Sequence, residues 1–438
     1  MRFYLEIFEH ILPNITALIQ PGIPYWPASP SSGGNFKAHW STRKGDTHFW
    51  AIWKRGGKEK IRDYAKHNSR FVSEFGHFAF PNLETLKQWI PSDHLNVNSP
   101  IFKIHDKQTN GILILADKIT QQFGVDFLRL SIEKQVYLSQ LSQLDALGYA
   151  IAHWRLNSKI FRTMGALYWQ LNDCWPVISW SSIDVYGRWK GFHYEVKRLY
   201  QPIAIIFEEK RTGFEVWLIN DTLHEANIKI EYTLWGISPK AETVQLKASK
   251  ILCKSKAMES KSIETITINQ NKKLKIPKEN VFLIFRYEYI DPVSKTIQKV
   301  NGTKIYGLPK AMIELLPEPE IEFNIKEAES QTQSENENEI KLIWIDLKAK
   351  RPALYVSIEI PDIILDGKRY GFRFSDNYFS MDPHREYRIE MEMREIVTKI
   401  DFQRDQTEGV GSSADIPIER CIFHIKNSIV IRTLKISV

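Results

Sequence analysis

The chain has 438 residues, 43% hydrophobic and 25% charged, the balance of a folded protein with material for two or three domains. Its net charge of +7 is spread along the chain without a dense block, so nucleic acid is not an expected partner, and no apolar run reaches the length of a membrane span. Cys174, Cys253 and Cys421 lie far apart, without metal-ligand spacing or a disulfide framework.

In chain order, MRFYLEIFEHILPNITALIQ puts Phe3, Ile7 and Ile11 at helical spacing. Glu6 and Glu9 interrupt its apolar part, which does not fit a secretory signal, so the sequence assigns no compartment: cytoplasmic, or lysosomal or secreted if an upstream segment carried a signal. The predicted helix runs to Ile19 and stops at Pro21-Gly22. A short strand is expected near Ile23 to Trp26, before the loop PASPSSGGN, and a second in THFWAIW, Thr47 to Trp53. A helical piece near Lys58 to His67 precedes the strand pattern RFVSEF. Helical patterns fill roughly Ile114 to Asn157, ending before MGALYWQLND, and Gly191 to Tyr200 reads as another helix. Strands alternating with helices predict a parallel sheet with helical crossovers over residues 1–201.

Past Pro202 the texture changes to strand after strand. IKIEYTLW places Ile228, Ile230, Tyr232 and Leu234 on one face and Lys229, Glu231 and Thr233 on the other; FEVWLIN and VFLIFRYEY continue in this mode. The proline-marked stretch GLPKAMIELLPEPE, Gly307 to Glu320, separates it from a second β-rich part containing KLIWIDL and ALYVSIEI. The polar tract EAESQTQSENENE, Glu327 to Glu339, reads as a disordered hairpin loop. Two β-sandwiches are therefore expected, at 202–310 and 318–438.

The chemistry sits in the first region. SRFVSEFGHF holds a carboxylate, Glu74, among Phe71, Val72, Phe75 and Phe78, where an unpaired charge costs several kcal/mol, on the order given by transfer from water. In a parallel barrel the residues at the C-terminal strand ends face the substrate. Glu74 ends one strand pattern, Tyr25 and Trp26 end the first, His48 and Trp50 lie on the second, and Trp169, Asn172 and Asp173 end the last. A carboxylate, an imidazole, amides and indoles suit a sugar, with flat faces for its C–H side and donors and acceptors for its hydroxyls. Each has a blander reading. The indoles can be core, Glu74 can pair with Arg70 or another cation, and Asp173 can cap its loop. His39 and His48 lack a third ligand, so no metal site is assigned.

The runs PYWPASP, GDTHFWAIW, RFVSEFGHFAFPNLETL and GALYWQLNDCWPVISWSSIDVYGRWKGFHYEVKRLY, residues 23–200, with FSDNYFSMDP further on, resemble the C-terminal half of a β-mannosidase of glycoside hydrolase family 2. The resemblance implies a partial (β/α)8 TIM barrel, its strands five to eight, followed by two immunoglobulin-like sandwiches. It also implies retaining hydrolysis of terminal β-linked mannose without a cofactor. Glu74 would be the nucleophile and Trp169 would line the sugar subsite, with His48, Trp50, Asn172 and Asp173 as further pocket residues. The acid/base glutamate expected after an asparagine at the end of strand four has no counterpart here. A truncated chain or one part of a split enzyme is therefore expected, inactive by itself, with a missing N-terminal half as its partner. The alternatives are a non-catalytic carbohydrate-binding or interaction protein and another family 2 activity, β-galactosidase or β-glucuronidase.

Overall fold

The computed structural model describes residues 2–35, 38, 40–53, 59–158, 162–268, 275–328, 341–395 and 418–435. Most of the polar tract at 327–339, and His39, lie outside them. Among the described residues no helix is long and apolar enough to cross a membrane.

The opening helix forms as expected, from Arg2 to Ile19, but its middle stretch, Glu6–Ile11, is a π-helix. Pro13 accounts for the widening: it has no N–H for the carbonyl of Glu9 and its ring crowds that carbonyl. The apolar stripe of this helix points outward, with Phe3, Ile7, Ile11, Leu18 and Ile19 exposed.

Two of the predicted strands are shorter than their patterns and one is absent. Thr47–His48 pairs in parallel with Val72–Glu74. A third segment joins through the parallel bridge Val72–Ala166, and through Val72 N–Gly165 O and Trp169 N–Phe75 O bonds of 3.0 and 2.8 Å. THFWAIW leaves the sheet early because the chain turns back, Trp53 N bonding Trp50 O. At Ile23 to Trp26 the expected strand does not form. That segment is instead tied by side chains, Tyr25 Oη donating to Phe8 O at 2.7 Å and Trp26 Nε1 to Asp46 at 3.0 Å. The described residues thus make an open strip of three parallel segments, not a closed barrel.

The expected long helical stretch is two helices, Gly111–Phe123 and Ile132–Ser158, broken at Gly124, whose φ of +73° ends the first helix in the left-handed region. Gly191–Leu199 forms as predicted. The Ile132–Ser158 helix is buried on nearly every side, including Ser139, Gln140, Ser142 and Gln143. Those polar groups do not face water because they are spent on buried backbone and side-chain groups of the neighbouring segments. Gln143 Nε2 donates to the carbonyls of His77, Trp180 and Ser181, and Ser139 Oγ accepts from Phe80 N. The helix therefore holds the loops that follow both the Val72–Glu74 strand and the 165–169 segment.

His77 lies in this packing with no exposure, its Nδ1 donating to Phe78 O and its ring 4.8 Å from Trp53. Burial pushes its pKa down to about 4, because the charged ring would lose its water. The folded chain thus holds His77 neutral while the unfolded chain takes up a proton near pH 6.5. Its stabilising contribution is complete above that pH and is lost between 6.5 and 4, on the order of 3 kcal/mol. His67 and His193 are also lowered to about 4 by burial and act in the same direction. Thermal unfolding between pH 7 and 4.5 is expected to show a falling Tm, and His77→Gln to flatten that slope.

Past residue 202 the sheets are antiparallel, as expected. One pair joins strands 203–210, 213–220 and 259–267 in one layer and 243–255, 226–237, 281–290 and 297–305 in the other. The next pair has strands 321–327, 341–349, 387–395, 368–374 and 363–365 facing 379–381, 353–359 and 430–432. The alternation in IKIEYTLW holds for its apolar face, but its polar face is covered too. Glu231, only 4% exposed, lies under Arg286 at 2.7 Å, Lys250 at 3.4 Å and Arg385 at 3.5 Å, and His384 stacks near Trp235. Period-two patterning reads which face is polar, and a salt-bridged contact with the following sandwich then buries it.

FSDNYFSMDP acts as a fastener between the last sandwich and the helices. Asp376 pairs with Arg198 at 2.5 Å, and Asn377 bonds both the N–H and the carbonyl of Ile358. Tyr378 reaches Gln140 and lies over Gly191, where a Cβ would come within 2.9 Å of its ring.

Candidate active site

Glu74 closes the Val72–Glu74 strand at its C-terminal end, and alternation turns its side chain to the open rim, 25% exposed. Trp50 Nε1 donates to its Oε2 at 3.1 Å and His48 Nδ1 lies 3.3 Å from the same oxygen. Both partners come from the neighbouring segment, which the parallel register sets beside Glu74: His48 is its register partner and Phe49 N bonds its carbonyl. Arg70 contributes no ion pair to it among the described residues, so the carboxylate is held by an indole and an imidazole rather than by a guanidinium. A carboxylate accepts only, and two donors on one oxygen leave the other free to meet an electrophile.

Trp169 follows on the third segment, its N–H on Phe75 O and its indole 43% exposed. Trp180 packs edge-on against Trp50 at 5.8 Å and against Phe78 at 4.7 Å, stiffening the wall behind Glu74. The close approach is permitted by Gly76: a Cβ there would stand 2.5 Å from Trp169 O and 2.8 Å from the Trp50 ring. Gly76→Ala is expected to cost about 1–3 kcal/mol by overpacking and to move Trp50 off Glu74. Urea unfolding and tryptophan emission measure the two effects.

The other sequence candidates divide. Asn172 is exposed near the rim, and its backbone carbonyl accepts from Gln170 Nε2. Asp173 is 6% exposed and its oxygens are taken by Ser179 and Ser181 hydroxyls at 2.6 and 2.5 Å, the loop-capping arrangement. Tyr25 turns to the opening helix through Phe8, away from Glu74's partners. Trp26 is half exposed, but its N–H serves Asp46.

Asp46 was not a sequence candidate, nor were Ser29 and Ser73, yet they form the layer behind His48. Ser29 Oγ lies 3.2 Å from His48 Nε2, 3.1 Å from Ser73 Oγ and 2.5 Å from Asp46 Oδ2. Asp46 also accepts from Ser73 Oγ, Trp26 Nε1 and Ser31 N. Burial raises its pKa, but these four donors outweigh it and hold the carboxyl below the ordinary range. In the sequence the only sign of this layer is Gly45-Asp46 before a strand and a Pro/Ser loop, both of which read as turn chemistry.

Residues 316–407 match the family model Ig_mannosidase, an Ig-fold domain. Beta-mannosidase B of Emericella nidulans is 30% identical over 240 residues, 51% of this chain and 28% of that protein. The Thermothelomyces thermophilus beta-mannosidase B is 32% identical over 265 residues, 54% and 30% respectively. The chain spans about 30% of the length of these relatives. Among solved structures, the beta-D-mannosidase of Dictyoglomus thermophilum superposes with a TM-score of 0.72 at 26% identity, over 99% of this chain and 45% of that one. The Amycolatopsis orientalis exo-chitosanase, at 14% identity and a TM-score of 0.58 over 86% of this chain and 44% of its own, shares the fold.

Proposed function

We propose that this chain, which is related to the β-mannosidases of glycoside hydrolase family 2, carries the nucleophile side of a retaining site for terminal β-linked mannose, with Glu74 as the nucleophile. The observation that carries the reading is a carboxylate at the C-terminal end of a parallel strand, gripped by His48 and Trp50, with the exposed Trp169 indole on the adjacent segment. In such a reaction Glu74 attacks the anomeric carbon, giving a glycosyl-enzyme that water then opens. A second carboxyl, about 5–5.5 Å away, protonates the leaving oxygen and later activates the water. Among the described residues Glu74 bonds to no second carboxylate. We read the three parallel segments as part of a (β/α)8 barrel ending near residue 201, and 202–310 and 318–438 as sandwich domains attached to it.

The second carboxyl then comes from a further segment of polypeptide. The exposed stripe of Phe3, Ile7, Ile11, Leu18 and Ile19 supports this, since a stripe of that size is what another layer of a barrel would cover. Trp169, Trp50, His48 and Asn172 form the sugar side, with Asp173 and Trp26 supporting it from behind. A purely binding role is the second reading, and it too is supported by Glu74 bonding to no second carboxylate among the described residues.

A 2-deoxy-2-fluoro-β-mannosyl fluoride separates the two. Fluoride leaves without a proton donor, so trapping depends on the nucleophile and not on the second carboxyl. The 438-residue chain is expected to gain one sugar, mapped to Glu74 by peptide mass. Quenching of tryptophan emission by the same sugar with no label on Glu74 overturns the nucleophile reading in favour of binding alone.

A further inference from the structure

A cavity of about 440 Å³ lies where the site-bearing region meets the last sandwich, within the range of small-molecule sites, roughly 300–1,000 Å³. The Leu83–Trp89 helix and the Tyr186–Trp189 loop form one wall, and strands 353–359, 368–374 and 430–432 form the other. Glu74, His48, Trp50 and Trp169 do not line it, so it is apart from the site described above.

Its charges cancel. Arg188 pairs with Asp362 at 2.5 Å, Arg432 with Glu359 at 3.0 Å and Lys87 with Glu84 at 2.8 Å. Arg373 and Arg394 share Glu392, and Glu133 lies near enough to Arg432 and Lys87 to feel both. With a carboxylate for each cation, the cavity has no net charge to offset the desolvation of an ion.

The pairs are nonetheless only partly used. Asp362 takes Arg188 and Gln88 on Oδ2 and leaves Oδ1 without a bond. Arg432 reaches Glu359 Oε1 through Nε alone, so both its Nη groups and Glu359 Oε2 stay unused. None of these atoms is sealed from solvent. A free guanidinium N–H beside a free carboxylate oxygen suits a hydroxyl, which accepts from the first and donates to the second. An ion of either sign uses one of the two and is repelled by the other. The rest of the lining includes Val136, Ile360, Phe372 and Trp189, surfaces that suit the C–H side of a sugar ring.

We propose that this cavity is a second saccharide site, taking a neutral mono- or disaccharide between the Leu83–Trp89 helix and the last sandwich. It does not depend on Glu74 acting as a nucleophile. Because its two walls come from distant parts of the sequence, a bound sugar also ties the last sandwich to the helix that follows the Glu74 loop.

The probes are β-1,4-mannobiose and cellobiose, titrated calorimetrically into the 438-residue chain and into Trp169→Ala, which removes the exposed indole near Glu74. Trp169→Ala is expected to retain binding of at least one of them. Asp362→Asn keeps an oxygen for Arg188 but turns the free oxygen into a donor. Arg432→Lys keeps the charge beside Glu359 but loses both Nη groups. Added to Trp169→Ala, each is expected to weaken binding by about tenfold, the scale of one hydrogen bond to a charged group. Thermal unfolding without sugar shows whether each variant is folded, and Arg432→Lys carries the test should Asp362→Asn unfold. Affinities within about twofold of the parent in the folded variants overturn the proposal on that same scale, as does loss of all binding once Trp169 is gone. Displacement of the sugar by inorganic phosphate overturns it too, since the occupant would then be an anion. Retained sugar binding in a chain that takes no fluoro-sugar label leaves this site standing and removes only the nucleophile reading.

Discussion

Glu74→Gln is expected to take no label from the fluoro-sugar, with a rate lower by about 10⁴-fold or more, the order seen when a nucleophile is removed. The substitution is nearly isosteric, and an amide oxygen still accepts from Trp50 Nε1, whose bond to the carboxylate is 3.1 Å. Packing should therefore survive, since a quarter of the side chain already faces solvent and the wall behind it is made by Trp50, Trp180 and Phe78. What changes is the chemistry: an amide oxygen carries no full negative charge to offer the anomeric carbon. Sugar affinity, read from tryptophan quenching, should fall by no more than a few-fold, because the indole faces that bind the ring are untouched. Loss of labelling with retained binding identifies a nucleophile. Equal labelling of Glu74→Gln and wild type would place the reacting group elsewhere.

The need for donors at Glu74 was readable from the sequence for a physical reason, while its role as nucleophile is what the family resemblance implies. A carboxylate in a run with Phe71, Val72, Phe75 and Phe78 conflicts with burial unless donors meet it, and the structure supplies two. His48 and Trp50 were readable as members of the same rim because a neighbouring parallel strand brings its alternate residues there. Tyr25 was not, since the strand assigned to Ile23–Trp26 has no pairing partner among the described residues, and an extended tetrapeptide looks the same in sequence whether or not a neighbour exists. Asp173 shows the opposite failure: its type suits a pocket, but Ser179 and Ser181, six and eight residues on, take its oxygens inside the loop. Ser29 and Asp46 left no trace in any periodicity, because what joins them to His48 is the folding of a loop over a strand end.

The antiparallel sheets were legible for a different reason. Period two is imposed locally by the pleat, so Ile228, Ile230, Tyr232 and Leu234 are buried together. The cover over Glu231 comes from Arg385, more than 150 residues on, and no local pattern encodes it. Long-range polar pairing is thus where this chain is least readable, and the central helix is its largest case.

Gln140→Leu is expected to cost roughly 2–6 kcal/mol, at about 1–3 kcal/mol for each of two buried polar groups left unmet. The side chain is 1% exposed and uses all its capacity: Nε2 donates to Phe80 O at 3.2 Å and Asn82 Oδ1 at 2.8 Å, while Oε1 accepts from Gly191 N at 2.9 Å and Tyr378 Oη at 3.1 Å. Leucine fills nearly the same volume, so the loss is polar and not a cavity. Two of the deprived groups, Phe80 O and Gly191 N, belong to buried residues, whereas the half-buried Asn82 can turn its Oδ1 to solvent. Tyr378 is likewise spared, since the Ser357 side chain also bonds its hydroxyl. The damage should reach beyond the helix. Gln140 is where the loop after Glu74, the start of the Gly191–Leu199 helix and the FSDNYFSMDP fastener meet, so its removal loosens the last sandwich from the site-bearing region. Urea unfolding should show the lower midpoint, and limited proteolysis should show earlier cutting near Tyr378. A loss below about 1 kcal/mol would mean that these groups find other partners when the amide is gone, and that the helix is held by its apolar neighbours alone.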